Sequence, residues 1–499
     1  MDKPNACCGA PEPPERLLAE FPVSSLDAWH QEVVKLLKGA PFDKKMLTPT
    51  YEGITLKALY TRDDVQALRF PAVMPGDAPF PRSTRVLGYR QGAWLVAQEL
   101  PYPTYEELNE ALRQDLDRGQ TAVNLLLDRA TQAGLDPDMA PIGEVGADGT
   151  SIASVIGLSR ALDGIDLGRT PILVQPGSAA LPFAALLVAL MRRQGRDVSQ
   201  LQGSLGMDPV AGLVTRGELP VSLGRAYDEL ATLTGWACAH APRITTVSAY
   251  GFPYHDSGAS AVQELAFVLA TAVEHLRQLE ARGLDVETVA PRILFGLSVG
   301  SHFFMEVAKL RAARMLWARV VEASGGSEAA ARMTLHARSS SWNKTRFDPH
   351  TNILRATTEA FAAVLGGCDS LHVAAFDEAL GLPSERGRRI ARNTQTILRE
   401  EVHLDAVVDP AGGSWTVEAL TAQVAEKAWV LFQEIESEGG MLAALEKGIP
   451  QRQVAEVAEQ RRKAIAGRRD VVLGVNVYPN AKEALPEYRV PDLAALHAS

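Results

Sequence analysis

The sequence is poor in cysteine, in long apolar runs and in net positive charge. Four cysteines (Cys7, Cys8, Cys238 and Cys368) serve 499 residues, too few for a disulfide-stapled scaffold and in keeping with a reducing compartment. Cys7 and Cys8 are adjacent in a Pro-rich leader and lack zinc spacing, so they read as exposed thiols and no metal site is expected. No stretch of about 18 uncharged apolar residues occurs, so no membrane span is expected. The first twenty residues lack the apolar core of a signal peptide. A formal net charge of -10 argues against a broad nucleic-acid surface and for a soluble, cytoplasmic protein. No P-loop, G-x-S-x-G or H-E-x-x-H motif is present, and no G-x-G-x-x-G opens a helix after the first strand.

What is there has the composition of a globular protein, 46% hydrophobic and 22% charged. Residues 1–45 read as a flexible leader followed by a short amphipathic helix near Trp29–Leu37. The stretch 48–61 alternates like a hairpin, and 71–82, dense in Pro and Gly, must be irregular. From about residue 93 a rhythm sets in. Apolar runs suited to buried parallel strands recur at 93–98, 123–127, 171–176, 244–250, 292–297, 333–337 and 370–374, with a weaker candidate at 201–206. Helical patterns separate most of them. Eight strands alternating with helices predict an α/β fold, a (β/α)8 TIM barrel over 46–410, with an open doubly wound sheet as the pattern's alternative. Residues 411–499 read as a C-terminal helical segment and tail, with one strand-like run in 468–480.

In such a barrel the working groups sit just past the C-terminal ends of the strands. That rule singles out Gln98, Glu99, Gln175, Asp208, the run Tyr250 to His255, Ser298, the run His336 to Arg338, and His372. Arg338, Lys344 and Arg346 fall in one hydroxyl-rich segment that suits a phosphate or a carboxylate, or is simply a solvated loop. Asp256 or Ser257 is expected to cap the helix after the fifth strand candidate in chain order.

The run 340–401, which opens SSWNKTRFDPHTNILR, resembles the last two barrel units of methylmalonyl-CoA mutases. Its neighbours VVDPAGGSWTVEAL (from 407), APRILFGLSVGSHFF (from 290) and DSGASAVQEL (from 256) resemble the same family, and the likeness spans about 45–480. Within the family, NKT after Trp342 and the DPHTNILR run look most like the small, non-catalytic subunit of heterodimeric members. The resemblance implies a barrel lined by small polar side chains through which a CoA arm threads. It also implies adenosylcobalamin held across the mouth by a separate domain, whose D-x-H-x-x-G motif is absent here. The cofactor would then belong to the complex and not to a domain of this chain.

Carried over position by position, the resemblance gives a depleted site. Where the family reads P-W-T-I-R-Q-Y, this chain places Leu95, Ala97 and Glu99 at the Thr, Arg and Tyr positions. Where it reads G-Y-H, this chain has Gly251, Phe252 and Pro253, with His255 two residues on as the candidate catalytic imidazole. Gly206 and Arg338 replace two glutamines. Arg216 and Arg292 fall where the family contacts the substrate carboxylate and CoA, and with Arg338 they are the candidate substrate- or CoA-binding residues. Three functions follow as expectations. One is a non-catalytic subunit paired with a catalytic mutase chain, residues 1–45 serving as a contact arm. Another is the substrate-binding half of a split acyl-CoA mutase whose cobalamin domain is a separate chain. A barrel adapted to another CoA or metabolite ligand is the third.

Overall fold

The computed structural model describes residues 19–480, 482–484 and 487–498; Cys7 and Cys8 lie outside them. The chain divides into two compact units, one ending at Leu59 and one from Tyr60 onward. In the first, Ser25 caps the helix Leu26–Leu36 by accepting the Ala28 N–H, and no residue of that helix is buried. The expected hairpin is present: β1 (Leu47–Pro49) pairs antiparallel with β2 (Thr55–Lys57).

The second unit holds eight parallel strands: β3 (Leu95–Val96), β4 (Val123–Leu126), β5 (Ile172–Gln175), β6 (Gln202–Met207), β7 (Arg243–Tyr250), β8 (Ile293–Val299), β9 (Thr334–Ser339) and β10 (Ser370–His372). Each falls on one of the eight expected runs. Hydrogen-bonded neighbours follow the order β3-β10-β9-β8-β7-β6-β5-β4, and a parallel bridge from Glu99 to Asn124 joins the two ends of that series. This is the (β/α)8 barrel. The run at 201–206 was weak for a physical reason. Gly203 sits at φ 122° with its Cα against the Ile172 carbonyl, where any side chain would overlap the neighbouring strand.

Alternation along β8 sets the two faces of the wall. Phe295 points outward, edge-on to Trp317 of the helix Phe303–Ala323, so Leu294, Gly296 and Ser298 point into the lumen. Register carries this around the barrel: Leu95, Ser370, His336, Gly296 and Tyr250 lie level, with His372, Arg338 and Ser298 one step higher. Ala97, Ala122, Leu173 and Leu294 form one apolar cluster, with Leu95 packed on it.

Beyond the barrel, the helix Trp415–Ser437 packs on the helices Ala261–Glu280 and Phe303–Ala323. Arg311, fully buried, fixes it by donating to both oxygens of Glu418 at 3.1 and 3.0 Å and to Asp409. Gly439 and Gly440 break the helical segment as expected, and Pro450 stands in the first turn of the helix Ile449–Ala466, where a missing N–H is harmless. The strand expected in 468–480 does not form. Gly474 turns at φ 78°, and Asn476 takes the Val472 N–H with its own side chain, leaving only a bridge between Leu473 and Val477.

Candidate active site at the barrel mouth

The loops after the strands gather a charged cluster around β10. The Glu99 N–H donates to Nδ1 of His372 at 3.0 Å, so a neutral His372 carries its proton on Nε2. That atom lies 3.6 Å from Oε2 of both Glu99 and Glu378, close enough for attraction and too far for a hydrogen bond. Arg338 is surrounded by acid: its Nη2 is 3.3 Å from Asp256 Oδ2 and its Nε 3.9 Å from Glu99 Oε2. Burial disfavours the charged guanidinium, and Glu99, Asp256 and Glu378 more than offset this, so its pKa lies above the ordinary value. Burial likewise works against an ionised Glu378, but His372 and Arg338 outweigh it and hold its pKa below normal. Arg338 is thus already neutralised by the chain's own carboxylates, and an incoming carboxylate would have to displace them.

Two aromatic rings occupy the space beneath. Phe252 stacks on Tyr250 with centroids 5.3 Å apart, meets His336 edge-on at 6.2 Å, and lies under the Arg338 guanidinium at 5.0 Å. Glycine at 296 makes this possible: a methyl group there would lie 2.5 Å from the Tyr250 ring and 2.8 Å from that of Phe252. Pro253 falls in the first turn of the short helix Phe252–Asp256, where no N–H is required.

His255 is spent elsewhere. Only 4% exposed, its Nε2 is 2.7 Å from the Ser340 hydroxyl and its Nδ1 3.7 Å from Glu264 Oε2. Glu264 is the hub of a buried network. It accepts the Ser298 N–H at 2.7 Å and Lys309 Nζ at 2.5 Å, and Lys309 also reaches Glu306 at 2.6 Å and the Ser298 carbonyl at 2.6 Å. Burial pushes the Glu264 pKa up, but Lys309 and then His255 overcome this and bring it to about 2.

The three candidate arginines lie in three places. Arg338 is at the mouth. Arg216 is exposed at the end of the helix Pro209–Arg216, bonded to Gln132 at 2.9 Å. Arg292 precedes β8, at the opposite end of the barrel, donates to the Ile244 carbonyl at 2.8 Å, and helps line a cavity of about 470 Å3 with Arg243, Thr245 and Thr288. The segment carrying Arg338, Lys344 and Arg346 does not form one basic pocket. Lys344 is paired with buried Glu359 at 2.6 Å, and Arg346 points to solvent.

Ala97 belongs to the apolar cluster on the axis, and Gly206 must be glycine because any side chain there would overlap the Ser248 hydroxyl. Asp208 caps the helix Pro209–Arg216 and accepts the Tyr250 N–H, and Gln98 bonds both backbone groups of Val373. The cap of the helix Ala261–Glu280 is Ser260, paired with Gln263 in a capping box; Asp256 and Ser257 end the preceding short helix instead.

Sequence reasoning missed Glu378, Glu264, Lys309 and Glu306. Glu264 and Lys309 sit within helices otherwise read as packing faces. The one available signal was charge on helix faces that are apolar all round.

A parallel eight-stranded barrel with titratable groups gathered at the C-terminal strand ends defines a (β/α)8-barrel protein. The family model of methylmalonyl-CoA mutase matches residues 49–499, and the chain belongs to that family. It is 37% identical over 460 residues to a methylmalonyl-CoA mutase of Cereibacter sphaeroides, covering 92% of this chain and 65% of that protein. A methylmalonyl-CoA mutase small subunit of Streptomyces virginiae is 38% identical over 486 residues, covering 96% of this chain and 74% of the relative. The large subunit from the same organism is 36% identical over 459 residues, covering 92% and 62%. This chain therefore spans just under two thirds of the length of several of its relatives. No described helix is long and apolar enough to cross a membrane.

Proposed function

We propose that this chain is a non-catalytic, small-subunit-type partner in an adenosylcobalamin-dependent acyl-CoA mutase complex of the methylmalonyl type. The observation that carries this reading is the filled barrel axis. Phe252 and Tyr250 occupy the mouth, Leu95, Leu173 and Leu294 pack below, and Glu99 stands where the family resemblance places a phenol.

The imidazole nearest the family's catalytic position does not fit a cobalt ligand or a proton donor to substrate: both nitrogens of His255 are engaged, by Ser340 and Glu264, while His336 and His372 are held through Nδ1 by Ser370 and the Glu99 N–H. The cobalamin is accordingly assigned to the partner, a catalytic chain of the same family. A small and a large subunit from one organism, both similar to this chain, favour such a pairing. The split-mutase alternative rests on Arg292 and the cavity it lines.

The test is co-expression with a full-length mutase chain, followed by size-exclusion chromatography and acyl-CoA isomerisation assays. The expected result is a stable hetero-oligomer, and no turnover by the isolated chain with coenzyme. Isomerised product from the isolated chain would overturn the proposal. Turnover that appears only with a separate cobalamin-binding protein, and is lost in His255→Ala, would establish the alternative.

Residues 1–45 are assigned as the contact arm. A helix of 11 residues with none buried, carrying exposed Leu26, Val34 and Leu36, is not stable in water by itself. Deleting residues 1–45 is expected to weaken partner affinity by at least about tenfold, roughly 1.4 kcal/mol, with the melting temperature of the barrel unchanged. Equal affinity of the truncated chain would remove the arm from the interface.

A further inference from the structure

A cavity of about 1170 Å3 lies outside the barrel wall, in the helical coat. It runs between the C-terminal half of the helix Phe303–Ala323 and residues 425–429 of the helix Trp415–Ser437, with Ala78, Pro79 and the turn at 326–331 closing its sides. Its volume comes from small side chains. Ala318, Ala331 and Ala425 stand where larger residues would fill the space, and Met315 and Leu316 form an apolar floor. Gly326 keeps the turn close, since a methyl group there would lie 2.6 Å from the Val321 side chain.

The rim is charged and carries an aromatic face. Arg319 lies over the half-buried Trp429 ring at 4.7 Å, and no ion pair holds it among the described residues. Glu322 is three residues beyond Arg319 and Glu426 three residues before Trp429, so each carboxylate stands within one helical turn of the stacked pair. Both are exposed, and neither has an ion pair among the described residues. Glu328, the third acid of the rim, accepts the Ala78 N–H at 3.3 Å. Carboxylates thus outnumber the single guanidinium, and an acidic rim surrounds an apolar floor.

We propose that this groove is a docking site for a basic, amphipathic helix of another protein. The partner's chemistry follows from the lining. Apolar side chains of such a helix fill the space left by the alanines over Met315 and Leu316. Arginine or lysine at flanking positions meets Glu322 and Glu426, and one cation takes the Trp429 face that Arg319 covers in the free chain. Both long walls are helices and no strand contributes to the lining, so pairing to a sheet edge is excluded and insertion of side chains is the mode that remains. The volume also exceeds the roughly 300–1,000 Å3 of a small-molecule pocket and suits a segment of chain. The inference goes beyond the subunit reading, since the groove uses neither the mouth nor residues 1–45.

The experiment is fluorescence anisotropy of the full chain with a labelled leucine–lysine helix of about four turns, and with its leucine–glutamate counterpart. The wild-type chain is expected to bind the basic helix with a Kd of about 10–100 µM and the acidic one at least about tenfold more weakly. Glu322→Gln combined with Glu426→Gln changes two exposed positions and should leave the fold intact while weakening the basic helix at least about tenfold. Trp429→Ala should weaken it similarly. Glu106→Gln combined with Glu110→Gln removes the same charge from exposed positions on the helix Tyr105–Leu116 and should bind as wild type does. Equal weakening in that control means that the peptide follows overall charge, and overturns the proposal. So does unchanged binding by the Glu322→Gln, Glu426→Gln chain, or an acidic helix that binds as tightly as the basic one. Sedimentation velocity is the second readout. A self-associated chain that dissociates in the Glu322→Gln, Glu426→Gln variant would give the groove to a second copy and end the proposal as stated. Hetero-oligomer formation with a mutase chain is measured separately, so either conclusion can fail while the other stands.

Discussion

Lys309→Met is expected to lower the stability of the chain by about 3–5 kcal/mol, the cost of leaving a buried ion without its partner. Lys309 and Glu264 have fully buried side chains and Glu306 is 7% exposed, so the substitution strands two carboxylates with almost no access to water. The loss spreads beyond the pair. Glu264 also accepts the Ser298 N–H and lies beside His255, which in turn holds Ser340. One lysine on the helix Phe303–Ala323 therefore ties together β8, the short helix at the mouth and the loop after β9. Set against a total stability of about 5–15 kcal/mol, the effect will be plain in a urea titration of wild type and variant. The triple variant Lys309→Met, Glu264→Gln, Glu306→Gln removes the charges while keeping an acceptor for Ser298, and should recover more than half of the loss. A Lys309→Met midpoint within error of wild type would show that water reaches the network and that it carries no structural load.

The barrel was legible because its signal is local. Runs such as ILVQ and ILFGLSV are apolar until their C-terminal ends, which suits strands covered on one side by helices and on the other by a lumen. The weakest run, at β6, was weak for the reason it folds as it does. Gly203 and Gly206 lower strand propensity, and the backbone at 203 and the Ser248 hydroxyl beside 206 leave no room for a side chain. The mouth was legible only as positions. Glu99, Arg338 and His372 were found by their places at strand ends, but nothing in the spacing shows that Arg338 is held by Asp256, or that Glu378 completes the cluster. His255 has the same limit. A histidine after a strand reads equally well as a catalyst or as a tether, and the difference lies in Ser340 and Glu264, which are 85 and nine residues away in sequence. Arg216, Arg292 and Arg338 look alike as isolated arginines and separate only when the barrel gives them two ends and a rim. The buried network needed even more, since Glu264 and Lys309 come from different helices and meet only once both pack on β8.

Lowering the pH from 7 to 5 is expected to cost the fold about 2 kcal/mol through His336 alone. Burial comes first among the causes, then the charges of His372 and Arg338, and together they bring the His336 pKa down from 6.5 to about 3. The sign follows from the depressed value. In the unfolded chain the imidazole takes up a proton below about 6.5, whereas in the folded chain it stays neutral until about 3. Stability from this group is therefore complete above 6.5 and declines as the pH falls through that range. At pH 5 the shortfall of about 1.5 pH units corresponds to about 2 kcal/mol, at 1.36 kcal/mol per unit. The window separates this histidine from the Glu264 network. Glu264, with its pKa near 2 and an ordinary value of 4.5, begins to lose its contribution only below about pH 4.5. Urea midpoints measured at pH 7, 6 and 5 should fall progressively for the wild-type chain and flatten in His336→Gln, which keeps a polar group facing Ser370 but cannot ionise. The direction also bears on the roof of the lumen. A proton on His336 would place a cation on the ring edge of Phe252, beside Arg338 and His372, so the mouth should loosen before the rest of the barrel. Faster amide exchange at pH 5 confined to residues around 250–256 would show this, and an unchanged midpoint between pH 7 and pH 5 would mean that His336 is already open to water.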